Sequence, residues 1–340
     1  MKTITKVGLS ALCGSLAAIS SANAGDLNVK GGATATWSSN QGDNTGNPIG
    51  LSSGITFTGA GELDNGSTFS LTLTNADQSA FSAGSIALTT PSWGSFSIGG
   101  ITGGNGIGGY DDKMPSAWEE TWGTSLGTGI DLAKGVGSSM NVQYSTPRLA
   151  GTKVLVAFSP VNGGGMVNDK ATGGDKGNNL GRGIDVLIDM DIPYTNMFVG
   201  YSNTERDGAN NAAQDTTQDR EEGVAGINFT VGPVKIGMQK TLEYTGNEET
   251  ASDVMGYANT MFGVSFNVND ALSLSYGKLE SKKGFVSSSN GKPKMIIESF
   301  QVAYTMGGAS VKVAESSVDD AAYTLNSDKE ATTVALSLAF

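Results

Sequence analysis

The chain has 340 residues, a net charge of −12 at pH 7, 49 glycines, one cysteine and no histidine. The lack of histidine excludes Ser-His and Cys-His catalysis and all imidazole metal ligands. An acidic chain repels phosphate groups, so the composition also argues against nucleic acid as a partner.

Residues 1–24 differ from the rest of the chain and have the features of a secretory signal peptide. Lys2 and Lys6 give a basic start, an apolar stretch follows, and the Ala-Asn-Ala at 22–24 places small residues before a cleavage point. The apolar stretch is too short to span a bilayer. We therefore expect this segment to direct export and then to be removed.

Cleavage before Gly25 leaves residues 25–340 as one predicted domain. Cys13 raises the alternative of a lipoprotein, but Leu12 stands where a small residue is needed before a lipidated cysteine. The mature chain has no cysteine and cannot form disulfides. Because two lysines leave with the leader, its net charge changes from −12 to −14.

Alternation of apolar and polar residues recurs throughout the mature chain, and no stretch sustains a helical period. In residues 67–74, for example, Phe69, Leu71 and Leu73 alternate with serine and threonine. The pattern predicts sixteen strands. They are residues 27–37, 51–62, 67–74, 84–90, 95–101, 139–145, 152–159, 183–191, 196–204, 223–231, 233–243, 256–267, 271–279, 295–306, 309–316 and 331–340.

The connections between these strands alternate in length. Short ones such as 63–67 and 231–233 separate long polar loops such as 162–183 and 203–223. This is typical of an all-β, transmembrane, up-and-down antiparallel barrel, whose strands need about 9–11 residues to span and whose short turns face the periplasm. A soluble β-sandwich or β-helix also shows alternation, but it explains the turn lengths less well.

The chain ends in a strand pattern rather than in a polar tail. Val334, Leu336, Leu338 and Phe340 fall on one face. In a closed barrel the last strand pairs with the first, so this end is held in place with its apolar face towards lipid. The pattern also resembles the signal that the outer-membrane assembly machinery reads.

Three segments resemble general Gram-negative porins: SSMNVQYSTPRLAGTKVLVAFSP (138–160), WGSFSIGG (93–100) and YTMGGASVKVA (304–314). The resemblance implies a sixteen-stranded homotrimeric barrel, embedded in the lipid bilayer of the outer membrane. Its third external loop would fold into the pore, and small hydrophilic solutes and ions would diffuse passively through it without a cofactor.

The sequence departs from this family in its arginines. Porins often carry an arginine cluster on the wall opposite the loop, whereas the mature chain has only Arg148, Arg182, Arg206 and Arg220. The last three fall in or beside predicted external loops. We therefore do not expect an arginine-lined constriction.

Residues 101–138 form the predicted constriction loop, because they follow the fifth strand and are long for a loop. Ser116 and Glu119 fit a capping box, which predicts a short helix. Trp118 and Trp122 would share one face of that helix, packed on the wall, with Glu120 towards water. The acidic residues of the loop are Asp111, Asp112, Glu119, Glu120 and Asp131.

Other sites in this loop are weakly supported. GNGIGG (104–109) matches a nucleotide-binding pattern, but no helix pattern follows and glycine is abundant in the chain. Glu119 and Glu120 are neighbours in sequence and cannot flank a substrate as glycosidase carboxylates do. No EF-hand spacing is present for calcium. We predict no catalytic, cofactor-binding or metal-binding residues.

Charged side chains on the predicted inner face would line the pore wall. Acidic groups on the loop and lysines on the wall would set a field across the pore that selects ions by charge. We expect a weak preference for cations, strengthened by acidic external loops. The wall residues are Lys30, Lys235, Lys312, Asp185 and Asp189, with Glu62 near one end of its strand.

Two other functions remain open from the sequence. One is an exported β-rich binding or adhesion barrel whose external loops contact partners, and the other is a secreted hydrolase, which the missing histidine disfavours. For the porin, the small residues Gly31, Ala33 and Ala35 on the outer face of the first strand predict close packing between barrels.

Overall fold

The computed structural model describes residues 27–41, 47–77, 79–100, 105–124, 126–137, 139–163, 180–206 and 218–339. In these parts of the chain, sixteen antiparallel strands form one closed barrel in which each strand pairs with its neighbours in sequence. The strands are β1 (Leu27–Gln41), β2 (Ile49–Glu62), β3 (Thr68–Ala76), β4 (Ser79–Thr90), β5 (Gly94–Gly100), β6 (Asn141–Ser145), β7 (Thr152–Ser159), β8 (Leu180–Ile192), β9 (Thr195–Arg206), β10 (Arg220–Val231), β11 (Val234–Tyr244), β12 (Val254–Asn267), β13 (Leu272–Phe285), β14 (Lys294–Met306), β15 (Ala309–Asp319) and β16 (Lys329–Ala339).

The predicted all-β barrel and its sixteen strands are confirmed, and each predicted stretch coincides with one strand. Several strands are longer than predicted at the end that carries the long loops. β4 begins at Ser79 rather than at residue 84, and β8 begins at Leu180 rather than at residue 183. These extensions lack the apolar alternation that the prediction relied on, so the sequence pattern does not reveal them.

The barrel closes where β16 pairs with β1. Leu336 lies opposite Ala35, and Val334 lies opposite Trp37. Leu336 and Leu338 are exposed on the outer face, as the alternation predicts. Phe340 lies outside the described residues. The expected pairing of the last strand with the first is therefore confirmed up to Ala339.

The outer face of the barrel is apolar. Exposed valine, isoleucine, leucine, methionine and phenylalanine side chains alternate along the strands with residues that point inward. Ile86, Val199, Met238 and Phe300 are examples. Because every strand is paired on both sides, no strand edge is left open, as a bilayer requires of a spanning sheet.

The inner face is not uniformly polar, which differs from the expectation of a wall lined by threonine, serine, asparagine and lysine. Leu187, Met261, Leu279 and Ile297 point inward and are almost completely buried. They belong to two apolar clusters that include residues of the loop between β5 and β6. The inner wall is apolar there because this loop covers it.

The two ends of the barrel differ. We call them the short-turn end, which holds turns such as Gly307–Gly308, and the long-loop end, where the connections are longer. Within the described residues, no helix has the length and apolar character needed to cross a membrane. The described 3₁₀ helices are Gly106–Tyr110, Ser288–Asn290 and Ala321–Tyr323.

Candidate functional site

The connection between β5 and β6 enters the barrel and runs along its inner wall. We call its described residues from Asn105 to Met140 the inserted loop. Its hydrogen bonds with the wall reach strands from β6 to β15, and none in the described part of the chain reaches β1–β5. The wall residues in these bonds are Asn141, Gln143, Ser159, Asp185, Asp189, Glu222, Asn228, Gln239, Asn259, Ser275, Gln301 and Ser316.

Asp185 on β8 ties the two ends of the inserted loop together. Its Oδ2 accepts hydrogen bonds from the backbone N–H of Ile107 at 2.9 Å and of Val136 at 3.1 Å. A Cβ at Gly106 or Gly135 would approach this carboxylate within about 2 Å, and both glycines have positive φ. Only glycine therefore allows the backbone to come so close to Asp185.

Gln239 on β11 fixes the middle of the loop. Its Nε2 donates to the carbonyl oxygens of Tyr110 and Asp111, each at 2.7 Å, and its Oε1 accepts from the N–H of Lys113 at 2.9 Å. Gln239 is almost completely buried. One wall side chain thus satisfies three backbone groups of the loop.

Gln301 on β14 fixes the tip of the loop in the same way. Its Oε1 accepts from the N–H of Trp118 and of Glu119, and its Nε2 donates to the carbonyl of Glu119. Nearby, the N–H of Ala117 donates to the Ser275 hydroxyl at 2.8 Å. In a helix, these N–H and carbonyl groups of residues 117–119 would bond to other backbone groups of the same helix. Here the side chains of Gln301 and Ser275 bind them instead.

The predicted short helix after Ser116 is consequently wrong. Residues 116–124 form bends and a turn, and the loop's 3₁₀ helix lies earlier, at Gly106–Tyr110. The capping box of Ser116 and Glu119 does not form, because Gln301 takes the N–H of Glu119. Trp122 still packs against the wall-side apolar cluster, as expected, and Glu120 is exposed.

A row of glycines on the wall makes room for the loop. Gly237, Gly263 and Gly277 are directly paired across β11, β12 and β13. A Cβ at Gly277 would lie 2.1 Å from the Thr121 hydroxyl, and one at Gly237 would lie 2.5 Å from Cδ of Pro115. The loop therefore lies directly on the backbone of these strands.

The return part of the loop is held by Glu222 on β10. Its carboxylate accepts from the N–H of Lys134 at 2.7 Å and of Gly135 at 2.9 Å. Arg220 donates to Glu222 at 2.7 Å and to Glu243 at 2.9 Å, so the two buried carboxylates share one guanidinium. Sequence reasoning missed this buried group and both glutamines.

The four predicted acids near the tip lie along one stretch of the loop. Burial raises the pKa of Asp111 to about 6 and that of Asp112 to about 6. The pKa of Glu119 is raised by burial and by the neighbouring Glu120. Full ionisation of Asp111 and Asp112 therefore needs a pH near neutrality or above.

The fifth predicted acid, Asp131, lies apart from these four on the return part of the loop. It forms an ion pair with Lys134 at 2.5 Å, and its carbonyl accepts from Asn259 at 2.9 Å. Lys134 neutralises part of its charge. Asp131 therefore adds less to the local potential than the four acids near the tip.

The five predicted wall residues all point inward, but they meet different surroundings. Lys30 and Lys235 are exposed in the lumen, and the ammonium of Lys312 lies 5.7 Å from the centre of the Trp118 ring. Asp185 is completely buried beneath the loop. Asp189 is bound by Arg148 and by the Tyr110 hydroxyl.

The wall of β1–β5, across the lumen from the inserted loop, is lined by hydroxyl groups. Lys30 and Glu62 are the charged residues that point inward from these strands in the described part of the chain. The inward-pointing hydroxyl residues include Thr34, Thr36, Thr56, Thr58, Ser70, Thr72, Ser85 and Ser97. The lumen therefore lies between a loop with acidic groups and a largely uncharged wall.

Comparison with known proteins identifies the family of the barrel. A family model described as Gram-negative porin matches residues 8–295. The chain belongs to the Gram-negative porin family. This places the barrel across the outer membrane, where porins let small hydrophilic solutes and ions diffuse through a water-filled pore.

Solved porin structures share the fold at low sequence identity. The anion-selective porin from Comamonas acidovorans is 14% identical, with 93% of this chain and 99% of that chain covered and a TM-score of 0.64. OmpF of Salmonella typhi, in complex with daunomycin, is 14% identical over 93% and 98% of the chains, with a TM-score of 0.68. The trimer form of OmpT from Vibrio cholerae is 11% identical over 94% and 100%, with a TM-score of 0.61. No curated protein sequence matches the chain.

Proposed function

We propose that the inserted loop narrows the channel of this porin, and that solutes and ions pass between it and the wall of β1–β5. The observation that supports this is the path of the loop, whose wall contacts run from β6 to β15 and leave β1–β5 uncovered. Passage is diffusion, with no bond made or broken. The residues at the gap therefore act through size and charge alone.

The charges at this gap favour cations. Asp111, Asp112, Glu119 and Glu120 lie on the loop, and the opposite wall offers hydroxyl groups rather than arginines. Arg148, Arg182 and Arg220 are each bound by a carboxylate, so these arginines add little free positive charge. The exposed Lys30 and Lys235 oppose the bias and keep the expected preference weak. A negative gap raises the local concentration of cations and lowers that of anions.

The reversal potential of the purified protein in a planar bilayer under a KCl gradient tests both the channel and its selectivity. We expect cation preference, reduced when Asp111→Asn, Asp112→Asn and Glu120→Gln are combined. A matched variant with Asp64→Asn, Glu248→Gln and Asp270→Asn neutralises three exposed acids away from the gap. A potential of anion-selective sign, or an equal change in both variants, would contradict the assignment.

The resemblance to a homotrimeric family extends to the outer surface of β1. Gly31, Ala33 and Ala35 project little from this strand, so another barrel can approach closely there. One solved structure that shares the fold, OmpT of Vibrio cholerae, is described as a trimer form. We take the unit to be a homotrimer. Sedimentation of the detergent-solubilised protein as a monomer would contradict this.

We propose that the first residues of the chain direct its export and that its last residues direct its assembly. Residues 1–24 would direct export and be removed, leaving residues 25–340. Val334, Leu336, Leu338 and Phe340 would be read by the outer-membrane assembly machinery. Support comes from the pairing of β16 with β1, which makes the last strand the one that closes the barrel.

A further inference from the structure

The connection between β15 and β16, at the long-loop end, folds into the barrel. We call its residues 320–328 the strap. Ala321 is almost completely buried in the apolar cluster that also contains Leu126 and Leu132 of the inserted loop, and Tyr323 packs against this cluster. Part of the strap therefore lies directly on the inserted loop.

A backbone hydrogen bond joins the strap to the inserted loop. The N–H of Ala322 donates to the carbonyl of Thr128 at 2.8 Å. Among the described residues, this bond is the one that joins residues 126–130 to the rest of the chain, and the nearest bonds to the wall are made by Thr124 and Asp131. The position of this stretch therefore depends on apolar packing and on the strap.

Tyr323 anchors the strap to the wall. Its hydroxyl forms a hydrogen bond with the hydroxyl of Ser281 on β13 at 2.7 Å. The centre of its ring lies 5.6 Å from the centre of the Tyr257 ring on β12 and 5.5 Å from the ammonium of Lys283. Aromatic and cation–π contacts of this kind stabilise a partly buried ring. One side chain thus connects the strap with two strands.

The backbone of the strap is strained. Among the described residues, seven that are not glycine have a positive φ, and four of these belong to the strap: Asp320, Ala322, Tyr323 and Asn326. Aspartate and asparagine tolerate this conformation through their short polar side chains, whereas alanine and tyrosine tolerate it poorly. Such strain persists only where the surrounding contacts impose it, and it clusters in segments that switch.

Two opposing contributions therefore act on the strap. Burial of Ala321 and the contacts of Tyr323 favour the docked position, whereas the strained backbone favours release. Other bonds hold the strap together internally: the N–H of Asn326 donates to Oδ1 of Asp320 at 2.8 Å, and the N–H of Asp320 donates to Oδ1 of Asp328 at 3.0 Å. Because these bonds lie within the strap, it can move as a unit.

We propose that the strap is a reversible clamp on the inserted loop and that Tyr323 is its positioning residue. This rests on the function proposed above, in which the inserted loop narrows the channel. While the strap is docked, Ala322 holds Thr128 in place. When Tyr323 leaves the wall, residues 126–130 lose this bond and move into the lumen, which lowers the current until the strap docks again.

Single-channel recording of the purified protein in planar bilayers tests the clamp. Tyr323→Ala removes the anchor, and we expect partial closures to become about tenfold more frequent than in wild type. Ala322→Gly relieves strain and keeps the N–H that binds Thr128, so closures should become about threefold rarer. Ala150→Gly is the matched control, because Ala150 also has a positive φ but lies in a turn at the short-turn end.

A disulfide can lock the strap, because the chain's one cysteine, Cys13, lies in the predicted leader. A Cβ at Gly129 would lie 3.0 Å from the Cβ of Ala322, close to the spacing in disulfides. Oxidation of the double variant Gly129→Cys with Ala322→Cys should abolish the closures, and a reductant should restore them. The two single-cysteine variants control for the substitutions themselves.

Amide hydrogen exchange of residues 126–130 in the detergent-solubilised protein separates the clamp from the channel function. Tyr323→Ala should accelerate exchange there, and normal mobility of its unboiled oligomer in electrophoresis shows that it folds. Faster exchange with an unchanged current would support the clamp and contradict narrowing of the channel by the inserted loop.

Four outcomes would overturn the clamp. They are unchanged exchange in Tyr323→Ala, a current without partial closures in both wild type and Tyr323→Ala, closures that persist in the oxidised double-cysteine variant, and equal effects of Ala322→Gly and Ala150→Gly.

Discussion

The side-chain amide of Gln301 binds both backbone groups of Glu119: its Oε1 accepts the N–H at 3.0 Å and its Nε2 donates to the carbonyl at 2.9 Å. The two residues are far apart in sequence, and the bonds hold the tip of the inserted loop against β14. Gln301 is almost completely buried. Gln301 therefore helps to set the width of the channel at this level, together with the bond between Ala117 and Ser275.

Replacement of Gln301 by alanine should release the loop tip. It removes the bonds to Trp118 and Glu119, each worth roughly 1 kcal/mol. We expect larger fluctuations of the open-channel current in planar bilayers. Gln301→Glu keeps the acceptor and loses the donor, so its noise should be intermediate. Identical noise in wild type and Gln301→Ala would show that the tip is held by other contacts.

Replacement of Gly277 by valine should lift the loop from the wall. The new Cβ would lie 2.1 Å from the Thr121 hydroxyl, so the loop must move into the lumen. We expect lower single-channel conductance, partly restored by adding Thr121→Gly. Gly59→Val is a control, because no atom lies within 4 Å of its Cβ position. A conductance loss as large in the control would refute the steric explanation.

Cation selectivity should increase between about pH 5 and pH 7. Asp111 and Asp112 each have a pKa raised to about 6 by burial, so both are largely protonated below that pH and ionised above it. The reversal potential under a KCl gradient, measured at steps across this range, reports the change. In Asp111→Asn with Asp112→Asn the pH dependence should be nearly flat. A wild-type selectivity independent of pH would contradict the burial of these acids.

The same pKa values predict how the loop responds to pH. Because the folded loop raises the pKa of Asp111 and Asp112 above 3.8, it binds protons more tightly than the released loop. Docking is therefore favoured at low pH, and this contribution is lost as pH rises through about 6. Protease cleavage within the loop should become faster from pH 5 to pH 7.

Removal of Arg220 should destabilise the barrel strongly. Arg220→Met leaves Glu222 and Glu243 buried without their shared cation, a change that typically costs about 3–5 kcal/mol. Thermal unfolding followed by electrophoretic mobility measures the loss. Arg182→Met breaks an exposed pair with Glu205, for which about 0–1 kcal/mol is expected. Equal unfolding temperatures for the two variants would contradict the importance of the buried group.

Deletion of Phe340 should impair assembly and leave the conductance of the assembled channels unchanged. The prediction rests on the outward alternation of Val334, Leu336 and Leu338 in the strand that closes the barrel. The measurement is the amount of oligomer in the outer membrane relative to total protein. Normal levels of the truncated oligomer would refute a role in targeting.

The barrel could be predicted from the sequence because side chains alternate between the two faces of a strand. Apolar residues at every second position therefore indicate the face that meets lipid. The position of the loop followed from its length and place after β5. The path of the loop along the wall could not be predicted, because the hydrogen bonds that set this path join residues that are distant in sequence. The local capping signal at Ser116 was misleading, since Gln301 binds the same backbone groups.

Some signals of that path were present in the sequence. Leu187, Met261 and Leu279 occupy inward positions where a water-filled lumen favours polar residues, which indicates that something apolar covers them. Gly237 and Gly263 occupy inward positions on neighbouring strands. Their alignment becomes visible only once the register between strands is known, and the sequence alone does not give that register.

Most hydrogen bonds between the wall and the inserted loop join a side chain of the wall to the backbone of the loop. Gln239, Gln301, Glu222 and Asp185 all bind loop N–H or carbonyl groups, which every residue except proline provides in full. The apolar side chains of the loop add packing against the wall, whereas the exposed side chain of Glu120 takes no part in these bonds. An exposed charge on the loop, such as that of Glu120, can therefore change in evolution or by design, which alters the ion selectivity while the width of the channel stays the same.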